Sequence, residues 1–156
     1  MVPPVKTAGE ISVSRQIALL ATEGTSGRGY IDDLAQTFAA DCQIFRGPCP
    51  DLAPQAELKV AGLDVDLSRL RSNLSVVSSE EWEKIDTVIL GCTHYPFIKE
   101  ELEEIVGPDK TWLDPALPVA RHLIATLAQK EIASIEQRST DENAIYFTAP
   151  VSPDPA

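Results

Sequence analysis

The chain has 156 residues, 44% hydrophobic and 24% charged, with a formal net charge of -11. This is the balance of a water-soluble globular protein, and the acidic excess argues against nucleic-acid phosphates and anionic membranes as partners, which select a basic face. No apolar run reaches the ~18 residues of a membrane helix, and Met1 to Lys6 lacks the apolar centre of a signal peptide.

Residues 1–15 read as an irregular, proline-containing opening. Gln16 to Thr22 is a short continuous apolar run, as expected of a strand buried on both faces of a parallel sheet. Glu23 to Gly27 reads as a turn. From Tyr30 the apolar residues Ile31, Leu34, Ala35 and Phe38 fall on one helical face. Residues 42–46 suggest a second strand, ended by Gly47-Pro48. A short helix is expected from Pro50 to about Lys59. Asp66 is placed to cap another, with Leu67, Leu70, Leu74 and Val77 at spacings of three and four.

Thr87 to Leu90 is the clearest strand in the chain, and it stops at Gly91-Cys92-Thr93-His94-Tyr95-Pro96. A helix is expected next, with Ile98, Leu102, Ile105 and Val106 on one stripe. Thr111 to Leu113 suggests another strand. Residues 116–130 suggest a helix aligning Ala120, Leu123, Ile124 and Leu127, and residues 144–148 suggest a last strand. The tail, with three prolines between Pro150 and Ala156, reads as loose. Strands alternating with helices predict an α/β fold with a mainly parallel sheet and flanking helices.

In open α/β sheets, ligands sit beyond the carboxyl ends of the strands. Cys92 is placed there, shortly before a helix that begins near Pro96, a residue suited to a first helical position. A helix N-terminus and His94 both favour a thiolate. Such a thiolate serves as a base, a nucleophile or a metal ligand. The plainer alternative is a small buried hydrophobe, the usual fate of a cysteine beside an apolar strand.

The run Gly91-Cys92-Thr93-His94-Tyr95-Pro96, preceded by Asp86 to Leu90, resembles the second cysteine motif of the glutamate racemases, within the aspartate/glutamate racemase superfamily. Weaker segments agree in order. They are the opening Met1 to Lys6, Leu20 to Thr25 with Tyr30, Cys49 to Leu52 through Glu57, Trp112 to Ala116, and Val119 to Arg121. The resemblance covers about residues 1–148 and corresponds to the C-terminal half only. Family members carry a further N-terminal half with an aspartate-serine turn and a first catalytic cysteine beside Asn-Thr. Neither Cys42, which heads a strand, nor Cys49, which precedes a proline, sits in such a motif.

The resemblance implies cofactor-independent interconversion of L- and D-glutamate by two cysteines on opposite faces of the α-carbon, one as thiolate base and one as thiol acid. It implies that Cys92 is one of these, that His94 assists it, and that Glu57 faces the histidine. Thr93 and His94 would contact substrate. The product, D-glutamate, would serve peptidoglycan and so cell-wall biogenesis and cell shape, in the cytoplasm. No metal and no other cofactor is expected. Residues 16–108 are expected to form the second α/β domain, residues 109–149 to return to the first, and residues 1–15 and 150–156 to be irregular ends. The chain alone is expected to be inactive, needing the N-terminal half. The returning segment is expected to dimerise, rearrange or expose an apolar patch. A non-catalytic racemase-like binding module and a related aspartate racemase are the alternatives.

Other motifs are weaker. Cys92-x-His94 lacks a second ligand pair for zinc. Gly24 to Gly29 is glycine-rich but lacks the lysine of a phosphate loop. A Cys–His hydrolase would need an orienting third group and an oxyanion hole. Thr22 and Thr25 are expected to shape the turn and cap the next helix. With three cysteines in all, no disulfide framework is expected, and the thiols point to a reducing compartment.

Overall fold

The computed structural model describes residues 4–26 and 29–130. The chain divides into one compact unit ending at Val119 and a second beginning at Ala120.

The first unit is built on four parallel strands: β1 (Gln16–Ala21), β2 (Gln43–Pro48), β3 (Thr87–Leu90) and β4 (Thr111–Leu113). Their order is β2-β1-β3-β4. Ile17 to Leu20 of β1 stand opposite Thr87 to Leu90 of β3. Every residue from Ile17 to Ala21 and from Thr87 to Leu90 is buried, which is why both strands read as unbroken apolar runs. Successive side chains point to opposite faces, so each central strand feeds two cores. Ile17, Leu19, Ala21 and Ile89 pack with α1 (Val5–Ile11) and α3 (Tyr30–Phe38). Ala18, Leu20, Val88 and Leu90 pack with α4 (Leu52–Val60), α5 (Leu67–Leu74), α6 (Ser79–Lys84), a 3-10 turn (Tyr95–Ile98) and α7 (Lys99–Val106). The expected α/β class with a parallel sheet and flanking helices is what the chain adopts.

Several local expectations change. Residues 1–15 are not irregular throughout, because Val5–Ile11 is helical. A helix this short is held by packing rather than by propensity. Val5 and Ala8 are buried, and a Cβ on Gly9 would meet the Phe38 carbonyl oxygen at 2.6 Å. The expected turn at Glu23 contains one helical turn, α2 (Glu23–Ser26). β2 runs on through Gly47 and Pro48, and an edge position makes the proline acceptable. Helix α6 was not anticipated; Ser78 and Glu81 cap it reciprocally. β4 pairs with β3, so the sheet extends past residue 108.

Asp86 locks the entry to β3. Its carboxylate accepts from Ser12 Oγ and the amides of Val13 and Ser14, each at 2.7 Å, and from Thr87 Oγ1 at 2.9 Å. Burial alone pushes this carboxyl up, but the bonds from Ser14, Ser12, Thr87 and Val13 together outweigh it and hold it at about 2. Helix α8 (Ala116–Gln129) spans the expected range and has no buried residue. Its Leu117, Val119, Leu123, Ile124 and Leu127 are all exposed. Among the described residues no helix is long and apolar enough to cross a membrane. The strand expected at 144–148 and the tail at 150–156 lie outside the described residues.

Candidate functional site

From β1 the chain moves outward to β2, then returns to the other side of β1 as β3. The direction of winding therefore reverses between the carboxyl ends of β1 and β3, where doubly wound sheets open a crevice for ligands. Thr22 follows β1 at this point, and Gly91 and Cys92 follow β3. Gly91 donates its amide to Leu20 O at 2.7 Å. A Cβ there would lie 2.7 Å from that same oxygen and 3.1 Å from Ala21 Cβ. Only glycine lets the two strand ends come this close, which sets where the Cys92 turn begins.

Cys92 is half-buried against the core that contains Tyr95 and Leu90. Its Sγ lies 3.6 Å from His94 Nδ1. The other ring nitrogen, Nε2, lies 2.7 Å from Glu57 Oε1. An ionised carboxylate only accepts, so Glu57 keeps a proton on Nε2 and leaves Nδ1 free to accept from the thiol. The three side chains form a line of proton-handling groups that passes from α4 to the end of β3. The histidine and glutamate side chains are 40% and 65% exposed, so their pair meets solvent.

The turn is anchored from below. Tyr95, fully buried, donates its hydroxyl to Cys49 O at 2.9 Å, and its amide donates to Cys92 O at 3.3 Å. Burial first, then the thiols of Cys49 and Cys92, pushes the Tyr95 hydroxyl upward, so it stays a donor. Cys49 donates its amide to Ala21 O at 2.9 Å. Asn73 fastens the start of α4: its Nδ2 donates to Asp51 Oδ2 at 2.7 Å, and its Oδ1 accepts from the Asp51 amide at 3.0 Å.

The helix expected from Pro96 opens as the 3-10 turn and becomes α-helical only at Lys99. Thr93 is exposed on the Cys92 turn. Thr22 Oγ1 donates to Thr25 Oγ1 at 3.3 Å, a contact within the turn. The other two thiols are elsewhere. Cys42 precedes β2 and so stands at the opposite end of the sheet from Cys92. Cys49 is fully buried, with Sγ near the carbonyls of Gly47 and Asn73, and burial pushes its thiol up to about 11. Among the described residues no three His, Cys, Asp or Glu side chains group as metal ligands.

Sequence reasoning did not single out Tyr95, Asn73 or Asp51. A tyrosine within an otherwise apolar stripe was the one available hint, since a buried hydroxyl needs a partner. A cleft of about 800 Å³ also opens at the amino ends of β3 and β4, where Trp82, Asp86 and Lys110 line it. Lys110 donates to the carbonyls of Trp82 and Ile85, and burial lowers its ammonium. Cys92 is not part of that cleft.

No family model matches the chain. A glutamate racemase of Shewanella pealeana is 36% identical over 153 residues, covering 97% of this chain and 56% of that protein. One from Haemophilus influenzae is 37% identical over 148 residues, covering 95% and 53%. Among solved structures, Escherichia coli glutamate racemase in complex with L-glutamate and the activator UDP-MurNAc-Ala superposes with a TM-score of 0.75 at 33% identity, over 91% of this chain and 52% of that one. The chain spans about half the length of the relatives it matches. With sequence and strand topology in agreement, it is a homologue of the glutamate racemases, fitting their C-terminal half.

Proposed function

We propose that this chain supplies one face of the proton-transfer site of a glutamate racemase. The observation that carries the reading is the Cys92–His94–Glu57 line at the switch point of the sheet. Racemisation removes the proton from one side of the α-carbon and returns one on the other. Cys92, relieved of its proton by His94 Nδ1, acts as base on one face, and the resulting imidazolium is held by Glu57. Returning a proton through the same atoms makes Cys92 the acid for the reverse direction. Thr93 and His94 are the groups of this turn placed to contact substrate. The ligand named for the Escherichia coli relative, L-glutamate, supports glutamate as the substrate.

The opposite face needs a second acid/base group. Cys42 is at the wrong end of the sheet and Cys49 is sealed in the core, so neither serves. We assign that group, the docking of helix α8, and the closure that excludes water to the half of the relatives this chain does not span. Residues 16–108, with β4 added at their edge, form the second domain of that assembly. No metal or organic cofactor enters the scheme, and the product D-glutamate would feed peptidoglycan synthesis in the cytoplasm.

The test is deuterium exchange at the α-carbon of glutamate in deuterium oxide, with this chain mixed with the N-terminal half of the Escherichia coli enzyme. Exchange that Cys92→Ser abolishes and Cys42→Ser leaves intact is the expected result. Absent exchange, or exchange indifferent to Cys92, counts against the reading.

A further inference from the structure

We infer that Tyr95 is a positioning residue for the Cys92 site: its hydroxyl, bonded to the carbonyl of Cys49, sets α4 so that Glu57 meets His94. This rests on the proton line proposed above and adds a residue whose hydroxyl and amide are bonded to the backbone carbonyls of Cys49 and Cys92.

The argument begins with what the exposed pair cannot do alone. Glu57 and His94 come from elements far apart in sequence, and both reach into solvent. Ion pairs this exposed contribute little and do not hold two elements in place. A buried tie has to fix their separation, and the Tyr95 hydroxyl is part of one. Tyr95 directly follows His94 and opens the 3-10 turn, while Cys49 lies between the end of β2 and the cap of α4. The backbone of Cys49 is thus pinned twice, its amide to β1 at Ala21 and its carbonyl to Tyr95. Leu52 and Ala56 of α4 are buried in the same core as the Tyr95 ring, and Ala56 immediately precedes Glu57. The amide of Tyr95 closes the turn onto Cys92 O. One side chain therefore links the thiol turn, the histidine and the base of the helix carrying the carboxylate. A phenylalanine would fill the same space, so the hydroxyl is accounted for by this bond.

Tyr95→Phe keeps the ring and removes the tie. The chain contains two histidines, His94 and His122, so the imidazole nitrogens of the ¹⁵N-labelled protein report the site, with His122 as internal reference. Glu57→Gln defines the signature of the broken pair. Tyr95→Phe is expected to move the His94 signals toward that signature, leave His122 in place, and slow iodoacetamide alkylation of Cys92 at neutral pH about threefold or more while Cys42 keeps its rate. Leu102→Ala, a cavity in the same core that leaves the tie intact, is expected to do neither. If Glu57→Gln moves His94 and Tyr95→Phe does not, the positioning role is overturned and the proton line stands. If Glu57→Gln moves nothing, the proton line fails and the role of Tyr95 with it. If Leu102→Ala shifts His94 as far as Tyr95→Phe, the effect is general loosening and the inference falls.

Discussion

The carbonyl oxygen of Leu20 accepts from the amide of Gly91 at 2.7 Å and stands at the same distance from the point where a Gly91 side chain would begin. The end of β3 is therefore seated against β1 with no room for a methyl group. Gly91→Ala is expected to cost about 1–3 kcal/mol, because an extra methyl must displace backbone. Urea unfolding checks this. The same variant should lower Cys92 alkylation in the folded protein, since the displaced turn carries the thiol and His94 together away from Glu57 on α4.

The three thiols should separate cleanly by reactivity. Cys49, buried and held at about 11, is expected to stay unmodified until the protein unfolds. Cys42, whose thiol burial also raises, should react slowly. Cys92, half-buried beside His94, should react first. Site-resolved mass spectrometry after brief iodoacetamide treatment decides the order, and early labelling of Cys49 would contradict the core described above.

Asp86 makes stability depend on acid. Its folded value of about 2 lies below the ordinary aspartate value, so its contribution is complete above about pH 4 and is lost as the pH falls toward 2. Asp86→Asn should reduce stability at pH 7 by about 1–3 kcal/mol through weakened bonds to residues 12–14. It should also flatten the loss between pH 4 and 2. Urea midpoints across that range supply the measurement.

Helix α8 exposes Leu123, Ile124 and Leu127. Ile124→Lys with Leu127→Lys is expected to lower binding of a hydrophobic dye such as ANS, with unfolding of the first unit unchanged within about 0.5 kcal/mol, as for exposed substitutions generally. Unaltered dye binding would show that the dye reads another surface.

Much of the fold was legible for one reason. β1 and β3 are buried on both faces, so burial itself wrote the continuous apolar runs at Ile17 to Ala21 and Thr87 to Leu90. Asp66 announced α5 because its cap is local: it accepts from the Ser68 and Arg69 amides. Helices α1 and α6 were missed because they are short and lack a periodic apolar stripe. For α6 the Ser78–Glu81 capping pair was the available signal; α1 depends on contact with Phe38 and Ala39, which no window reveals. At the site, its place after a strand made Cys92 a candidate with His94 beside it, and the roles proposed for both came from family resemblance. The meeting of Glu57 with His94 came from family resemblance, since no spacing rule joins α4 to the end of β3. Tyr95 escaped because its partner is a backbone carbonyl, and a carbonyl leaves no letter in the sequence.

The two cores divide labour in a way that bears on sequence drift. Cys92, His94, Glu57 and Tyr95 all belong to the side of the sheet covered by α4 to α7. The side covered by α1 and α3 donates none of them. Substitutions such as Ile31→Val or Leu34→Met are thus free to alter how firmly the scaffold stands without touching any of these four side chains, so the α1–α3 layer is the part of this fold that can vary at least cost to the cluster.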